Sequence, residues 1–412
     1  MNDVVVVGAG AAGLATAIFA RRLDPRRSVL LLDGAAKPGA KILVSGGSRC
    51  NVTNAAVTER DYWGGKRTIV RRVLRALPVA ATVDFFQGLG VALKEEPHGK
   101  LFPTTDRSRD VLDALLRAAA SSGVTLAAGT RVHEVLPGGS GFSLQTSRGP
   151  MTAASVVLAT GGLSLPKTGS DGGGLTIARR LGHSIMPTTP ALAPLLLSSE
   201  WFHAGLSGVA VDVELTVWVD GRVSERIRGS MLWTHFGLSG PVALDASRVV
   251  LRAQLEQRPV MVSANFFPPA TFDSVDARWA TAATSRPRTS MQNALADELP
   301  ASVASALLAH ASIDGGTALG ALSRHHRRAL AHALTGLPLP VTGSRGYNYA
   351  EATAGGVSLD EVDPAGMGSR RVPGLFLVGE MLDVDGRIGG FNFQWAWSSA
   401  RAAAEGLARR RA

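Results

Sequence analysis

The sequence predicts an α/β fold: a Rossmann-like dinucleotide-binding domain on a parallel central sheet, interrupted by an inserted β-rich and helical unit. Three observations carry this. The N-terminal run DVVVV, GAGAAG, LATAIFARRL, SVLLLD reads as strand, glycine turn, helix and second strand, and its unbroken Val/Leu stretches suit strands buried on both faces. After Pro190 the texture changes: VAVDVELTVWVDGRV (209–223) alternates apolar and polar residues and then turns at Asp220-Gly221, the pattern of an antiparallel hairpin. The continuous apolar texture returns in VPGLFLVGE near 372–380.

Between these landmarks, 37–54 (KPGAKILVSGGSRCNVTN) reads as a Gly/Ser/Asn-rich loop. Helical periodicity covers about 68–90 and 107–122, strands follow at 124–135 and 142–147, and SVVLATGG (155–162) is a buried strand ending in glycines. From about 270 to 336 the pattern is helical, broken by Pro and Gly. The expected organisation is a discontinuous domain of 1–190 and 340–412, a β-rich insertion over 191–268 with 336–347, and a helical subdomain over 269–335.

A chain of 412 residues with 45% hydrophobic and 18% charged residues suits two or three globular units. The net charge of +10 comes mostly from scattered arginines, as a GC-rich genome would encode, so a nucleic-acid partner is not the expectation. Cys50 is the one cysteine, which excludes a disulfide framework and a cysteine-held metal cluster and fits a reducing cytoplasm. Residues 4–20 are uncharged, but no basic segment precedes them and glycines interrupt them, so neither a signal peptide nor a membrane span is expected.

Gly8-x-Gly10-x-x-Gly13 follows a strand and opens a helix with Ala11 and Ala12. Gly8 makes the tight turn, Gly10 admits a pyrophosphate to the backbone, and Gly13 allows close helix–strand packing. The helix start adds free N–H groups and the positive end of its dipole. Asp33, twenty residues after Gly13, ends the second strand where a carboxylate reaches ribose hydroxyls, which disfavours NADP and leaves NAD or FAD. The extended FAD molecule needs a distant second element. GLFLVGEMLDVDGRIGGFNFQWAW (374–397) supplies one: Glu380 at a strand tip for the ribityl chain, Asp385, glycines, and a helix start at Phe391-Asn392 aimed at the flavin pyrimidine edge. Trp395 and Trp397 read as core packing. No second GxGxxG occurs between 150 and 340, so NAD(P)H enters only as a candidate transient donor.

These residues resemble the bacterial BaiN/RdsA-like, aminoacetone-oxidase-like family of FAD-dependent oxidoreductases. The blocks that carry the resemblance are GAKILVSGGSRCNVTN (39–54), ATGGLSLPKTGSDGGG (159–174), GSMLWTHFGLSGP (229–241), EATAGGVSL (351–359) and GEMLDVDGRIGGFNFQWAWSS (379–399). The resemblance implies non-covalent FAD on a Rossmann-type domain, with a β-barrel-like domain and a small helical one inserted. It carries FAD contact onto Gly8, Gly10, Ala11, Ala12, Gly13, Asp33 and Gly34, and onto Lys41, Ser45, Gly46, Gly47 and Arg49. It does the same for Val132, Thr160, Gly161, Gly379, Glu380, Asp385, Gly390, Phe391 and Asn392. Asp33 stands where the family more often has glutamate.

For chemistry, Lys41 and Arg49 are placed to neutralise pyrophosphate or polarise the flavin. Cys50 reads as a small buried thiol. WTHFGLSG (233–240) puts His235 and Ser239 on a glycine-bearing turn leaving the β-rich unit, where an imidazole can exchange a proton during hydride transfer; Tyr347 and Tyr349 are secondary candidates. SRHHRRAL (323–330) reads as a solvated helix face, and no metal cluster is apparent. The expected function is hydride transfer through flavin N5 to or from a small organic substrate, with an RNA-modifying flavoprotein or a non-catalytic flavin sensor as the alternatives.

Overall fold

The computed structural model describes residues 2–139 and 141–410. The chain divides into two compact units, one of Met1–Pro190 with Tyr347–Ala412 and one of Ala191–Gly346.

In the first unit, strand Asn2–Val7 pairs in parallel with Val29–Leu32 on one side and Gly149–Leu158 on the other. Thr125–Ala127 and Leu375–Leu377 extend this parallel core at its two ends. Val4, Val5, Val6, Leu31, Leu32, Val156, Val157 and Leu158 are essentially inaccessible, which is why their sequences are continuous rather than alternating. A meander of Val132–Gly138 and Gly141–Thr146 joins antiparallel through Gly149–Leu158. The first helix (Ala11–Leu23) and the last (Phe391–Arg409) lie side by side.

The stretch expected to be a loop contains a helix, Ala40–Ser48. Its Ala-Lys-Ile-Leu-Val core is good helix-forming sequence. The helix breaks at Ser45 (ψ 148°), Gly46 (φ 54°) and Gly47 (φ 67°), so the glycines bend the chain at one end instead of unwinding all of it.

The second unit is a seven-stranded sheet in the order Leu337–Leu339, Val260–Asn265, Ala210–Val219, Arg222–Thr234, Gly237–Ser239, Leu195–Leu197, Val341–Ser344, with antiparallel neighbours. The two edge strands are separated in sequence only by Pro340, so the sheet must curl for the chain to pass from one edge to the other. The Asp220-Gly221 hairpin forms as expected, with φ of 51° and 74°. Helices Phe272–Ser285, Met291–Ala296, Ala301–His310 and Arg324–Gly336 share one apolar core with this sheet. Helix Pro241–Leu255 was not expected, although Pro241 at its first turn and buried Val242, Ala246 and Val250 mark it. Among the described residues, no helix is long and apolar enough to cross a membrane.

Candidate functional site

The strands of the parallel core point their C-terminal ends at one edge of the first unit, and both glycine-rich crossings leave from there. Gly8 turns at φ 105°, and a side chain on it would meet the Ala159 carbonyl at 2.5 Å. A Cβ on Gly13 would lie 1.8 Å from the Gly8 carbonyl oxygen, so helix and turn touch backbone to backbone. Gly10 differs: nothing lies within 4 Å of where its Cβ would be. Hydrogen bonding along the first helix begins with Leu14 N–H to Gly10 O at 3.0 Å, and no side chain caps the start. The N–H groups of Ala11, Ala12 and Gly13 thus stand ahead of the helical ladder, with open space before Gly10.

Asp33 accepts from Ala9 N–H and Ala35 N–H, both at 2.7 Å, one on each carboxylate oxygen. Each oxygen keeps a lone pair for a ribose hydroxyl. Gly34 packs against Arg131, which pairs with Asp171 at 2.7 Å beside Val132 at the start of the meander.

The last helix repeats the arrangement of the first. Its cap, Gly390, has φ 94° with Thr53 backbone 2.4 Å from a notional Cβ, and its ladder begins with Gln394 N–H to Gly390 O at 3.0 Å. The two helices run in the same direction. Ala12 lies against Gly379, whose carbonyl accepts from Trp395 Nε1 at 3.1 Å. Arg401 stacks over Phe19 with 5.6 Å to the ring centroid, and Arg27 donates to Leu407 O near both C-termini. Two positive helix ends therefore face the same way.

What orients the last helix is a set of buried polar contacts. Trp397 Nε1 donates to Val52 O at 2.9 Å, Gln394 Nε2 to Leu77 O at 2.7 Å, and Thr53 Oγ1 to Gln394 Oε1 at 2.6 Å. The Phe391 ring is buried and its carbonyl accepts from Tyr62 OH at 2.8 Å. The Asn392 side chain accepts from Gly386 N–H at 2.8 Å and donates to Gly386 O at 2.9 Å, closing the 386–392 loop. Asp385 is buried in a strand paired with Tyr62–Gly64.

Lys41 is already neutralised within the protein. It pairs with Glu380 and donates to Ser164 Oγ, and Ser164 Oγ in turn donates to Glu380 Oε1 at 2.6 Å. Arg49 likewise pairs with Glu96 at 2.7 Å and Asp106 at 3.4 Å and stacks 4.0 Å over the Phe102 ring. Both cations are thus engaged by acids that lie far away in sequence. Ser45 donates to Ile42 O at 2.8 Å at the helix break. Cys50 is fully buried, and burial pushes its thiol up to about 12 against a hydrogen bond from Ser45, so it is inert. Thr160 Oγ1 and Asn51 Oδ1 are buried without a protein partner, the first beside Gly161 (φ 72°).

His235 belongs to the second unit. It is exposed in the hairpin turn between Arg222–Thr234 and Gly237–Ser239, edge-on to Phe236, so the turn stays within the sheet instead of leaving it. Sequence reading assigned no role to Ser164, Thr353, Asn51 or Glu351; the EATAGGVSL block was the signal for two of them. Among the described residues no cluster suited to a metal ion exists.

Bare phosphate-binding amides, a free approach at Gly10, a ribose-binding carboxylate and orphaned polar atoms all fit FAD. Fold and site define a Rossmann-type flavoprotein oxidoreductase. The family model for the HI0933-like protein Rossmann domain matches residues 2–406, and the chain belongs to that family. It is 34% identical over 407 residues to a ribosomal RNA dihydrouridine synthase of Escherichia coli (strain K12), covering 98% of each chain. It is 32% identical over 409 residues to a 3-dehydro-bile acid delta(4,6)-reductase of Clostridium scindens, covering 98% of this chain and 100% of the relative. Among solved structures, a quinol-fumarate reductase with menaquinol superposes with a TM-score of 0.52 at 17% identity, over 99% of this chain and 71% of that one. A flavocytochrome c3 fumarate reductase gives 0.51 at 17%, over 99% and 78%. The structural likenesses concern the fold. The family makes the protein a FAD-dependent oxidoreductase.

Proposed function

We propose that the protein is a flavin-dependent reductase that saturates a carbon–carbon double bond conjugated to a carbonyl group. The observation that carries this reading is the pair of uncapped helix starts facing one way, Ala11–Gly13 and Phe391–Phe393. The first set of amides binds diphosphate and Asp33 binds ribose, while the second set stabilises negative charge at the other end of an extended cofactor. Bound FAD supplies two-electron transfer. Lys41 and Ser164 fix the Glu380 carboxylate, which in turn accepts from Thr353 N–H at 2.9 Å.

The names of two whole-length relatives support the substrate class. Dihydrouridine differs from uridine by hydrogen added across a ring double bond conjugated to a carbonyl, and a delta(4,6)-reductase removes double bonds conjugated to a ketone. NAD(P)H is the proposed donor; without a second dinucleotide fingerprint it docks transiently.

A second reading places the double bond in a uracil of RNA. Arg324, Arg328 and His332, four residues apart on one helix, are exposed, and Phe272 lies between His332 (4.2 Å) and Arg328 (4.8 Å). Cationic and aromatic groups together suit a nucleic-acid strand.

The test is anaerobic. Holoprotein is reduced with NADH or NADPH, then mixed with 2-cyclohexen-1-one, a 3-oxo-4-ene steroid, or a ribosomal RNA fragment while flavin absorbance is followed. Reoxidation by one of them, with a saturated product, is expected. Reoxidation by none of these, with rapid reoxidation by dioxygen, contradicts the reductase reading.

A further inference from the structure

Resting on that reading, we propose that Glu351 is the proton donor of the double-bond reduction, placed on the Glu380 side of the site by Ser164 and Thr353.

Glu351 immediately precedes Ala352–Val357, a strand buried at every residue, yet its own side chain is exposed. That strand is tied to the cofactor crossing. Thr353 N–H donates to Glu380 Oε1 at 2.9 Å, and Thr353 Oγ1 accepts from the N–H groups of Leu163 and Ser164 at 2.8 and 3.0 Å. Ser164 Oγ also approaches the Glu351 carbonyl at 3.5 Å. The peptide that carries Glu351 is therefore fixed on both sides by the residues that lock Glu380.

Two cations act on the carboxyl electrostatically. Lys41 comes from helix Ala40–Ser48 and Lys100 from strand Lys100–Pro103, and Lys41 is also paired with Glu380. The strand carrying Lys100 pairs with Thr53–Asn54, and Asn54 donates to Gly389 O at 3.1 Å, so the C-terminal glycines are tied to that strand pair. The Glu351 carboxyl reaches solvent but is crowded by protein. Desolvation by the surrounding protein raises its pKa above the ordinary carboxylate value, against the pull of Lys41 and Lys100. A carboxyl that holds its proton more tightly than an ordinary glutamate and is open to solvent has the character of a general acid. Lys41, held by Glu380 and Ser164, does not compete for the role.

The step balances. One alkene carbon receives a hydride, two electrons and a proton, from reduced flavin as the reductant. The neighbouring carbon forms a C–H bond with the proton leaving Glu351, and the carboxylate recovers a proton from water.

The experiment compares FAD-loaded wild type, Glu351→Gln and Glu351→Asp. Flavin absorbance is first titrated with pH in the absence of substrate. Wild type should show an inflection above the ordinary glutamate value of about 4.3; Glu351→Asp should keep one and Glu351→Gln should lose it. With dithionite-reduced protein and 2-cyclohexen-1-one, Glu351→Gln should keep its FAD and melting temperature while flavin reoxidation slows about 100-fold or more. An identical inflection in wild type and Glu351→Gln, or none in wild type, overturns the assignment whatever the enone does. A protein that holds no FAD overturns the reductase reading itself, a distinguishable outcome.

Discussion

The two units bury their interiors differently. Of the twenty buried polar residues described, seventeen lie in the Rossmann-like unit and three, His203, Thr216 and Ser247, in the inserted one. The tryptophans repeat the contrast. Trp395 and Trp397 donate their indole N–H groups to backbone carbonyls, whereas Trp233 and Trp279, equally buried, leave theirs without a partner. An apolar core needs only volume and shape. A buried polar group stabilises only when its partner is in place, and so it fixes one geometry. The Rossmann-like unit places that requirement around the start of its last helix, where a cofactor must be held to a fraction of an ångström.

The largest effect expected from this contrast is at Gly13. Gly13→Ala drives a methyl into the Gly8 carbonyl, and thermal melting should show a loss of about 3 kcal/mol together with loss of FAD. The tryptophan pair comes next. Trp397→Phe strands the Val52 carbonyl and should cost about 1–3 kcal/mol more than Trp233→Phe in denaturant unfolding. Equal costs would erase the distinction drawn between the units.

A smaller effect is pH-dependent. His183 bridges Glu361 Oε2 and Ser369 Oγ, each at 2.9 Å. Burial lowers its pKa, against the pull of Glu361, so the folded state favours the neutral ring and stability falls as pH drops below the ordinary value of 6.5. Burial pushes Glu361 up, but hydrogen bonds from Arg371, Ser184 and His183 outweigh it and bring the carboxyl down to about 2. Its contribution is complete above the ordinary 4.5 and lost between there and about 2. Glu361→Gln should therefore flatten the acid limb of a melting-versus-pH curve. The smallest effect belongs to the exposed stripe: Arg324→Gln with Arg328→Gln should change stability by no more than about 0.5 kcal/mol. The same variant should reduce salt-sensitive RNA retention if the uracil reading holds.

Much of the first unit was legible because its signals are local. The apolar run before Gly8, the glycine spacing and Asp33 fall within thirty-odd residues, and the Asp220-Gly221 turn announces its own hairpin. The helix at 40–48 was masked because two glycines and two serines at its end outweighed the Ala-Lys-Ile-Leu-Val turn ahead of them. The cluster of Lys41, Ser164, Thr353 and Glu380 was illegible for another reason. Its members lie up to 339 residues apart, and only the parallel sheet brings them together. The pairing of Arg49 with Glu96 and Asp106 was hidden in the same way.

The most direct test is titration of apoprotein with FAD, comparing wild type and Gly10→Ala, with melting recorded for both. A methyl on Gly10 meets no protein atom but fills the approach to the first-helix amides. One FAD should bind per wild-type chain, and Gly10→Ala should melt like wild type while binding at least about tenfold more weakly, a difference of about 1.4 kcal/mol. Equal affinity in the two, or no FAD taken up by wild type, contradicts the account.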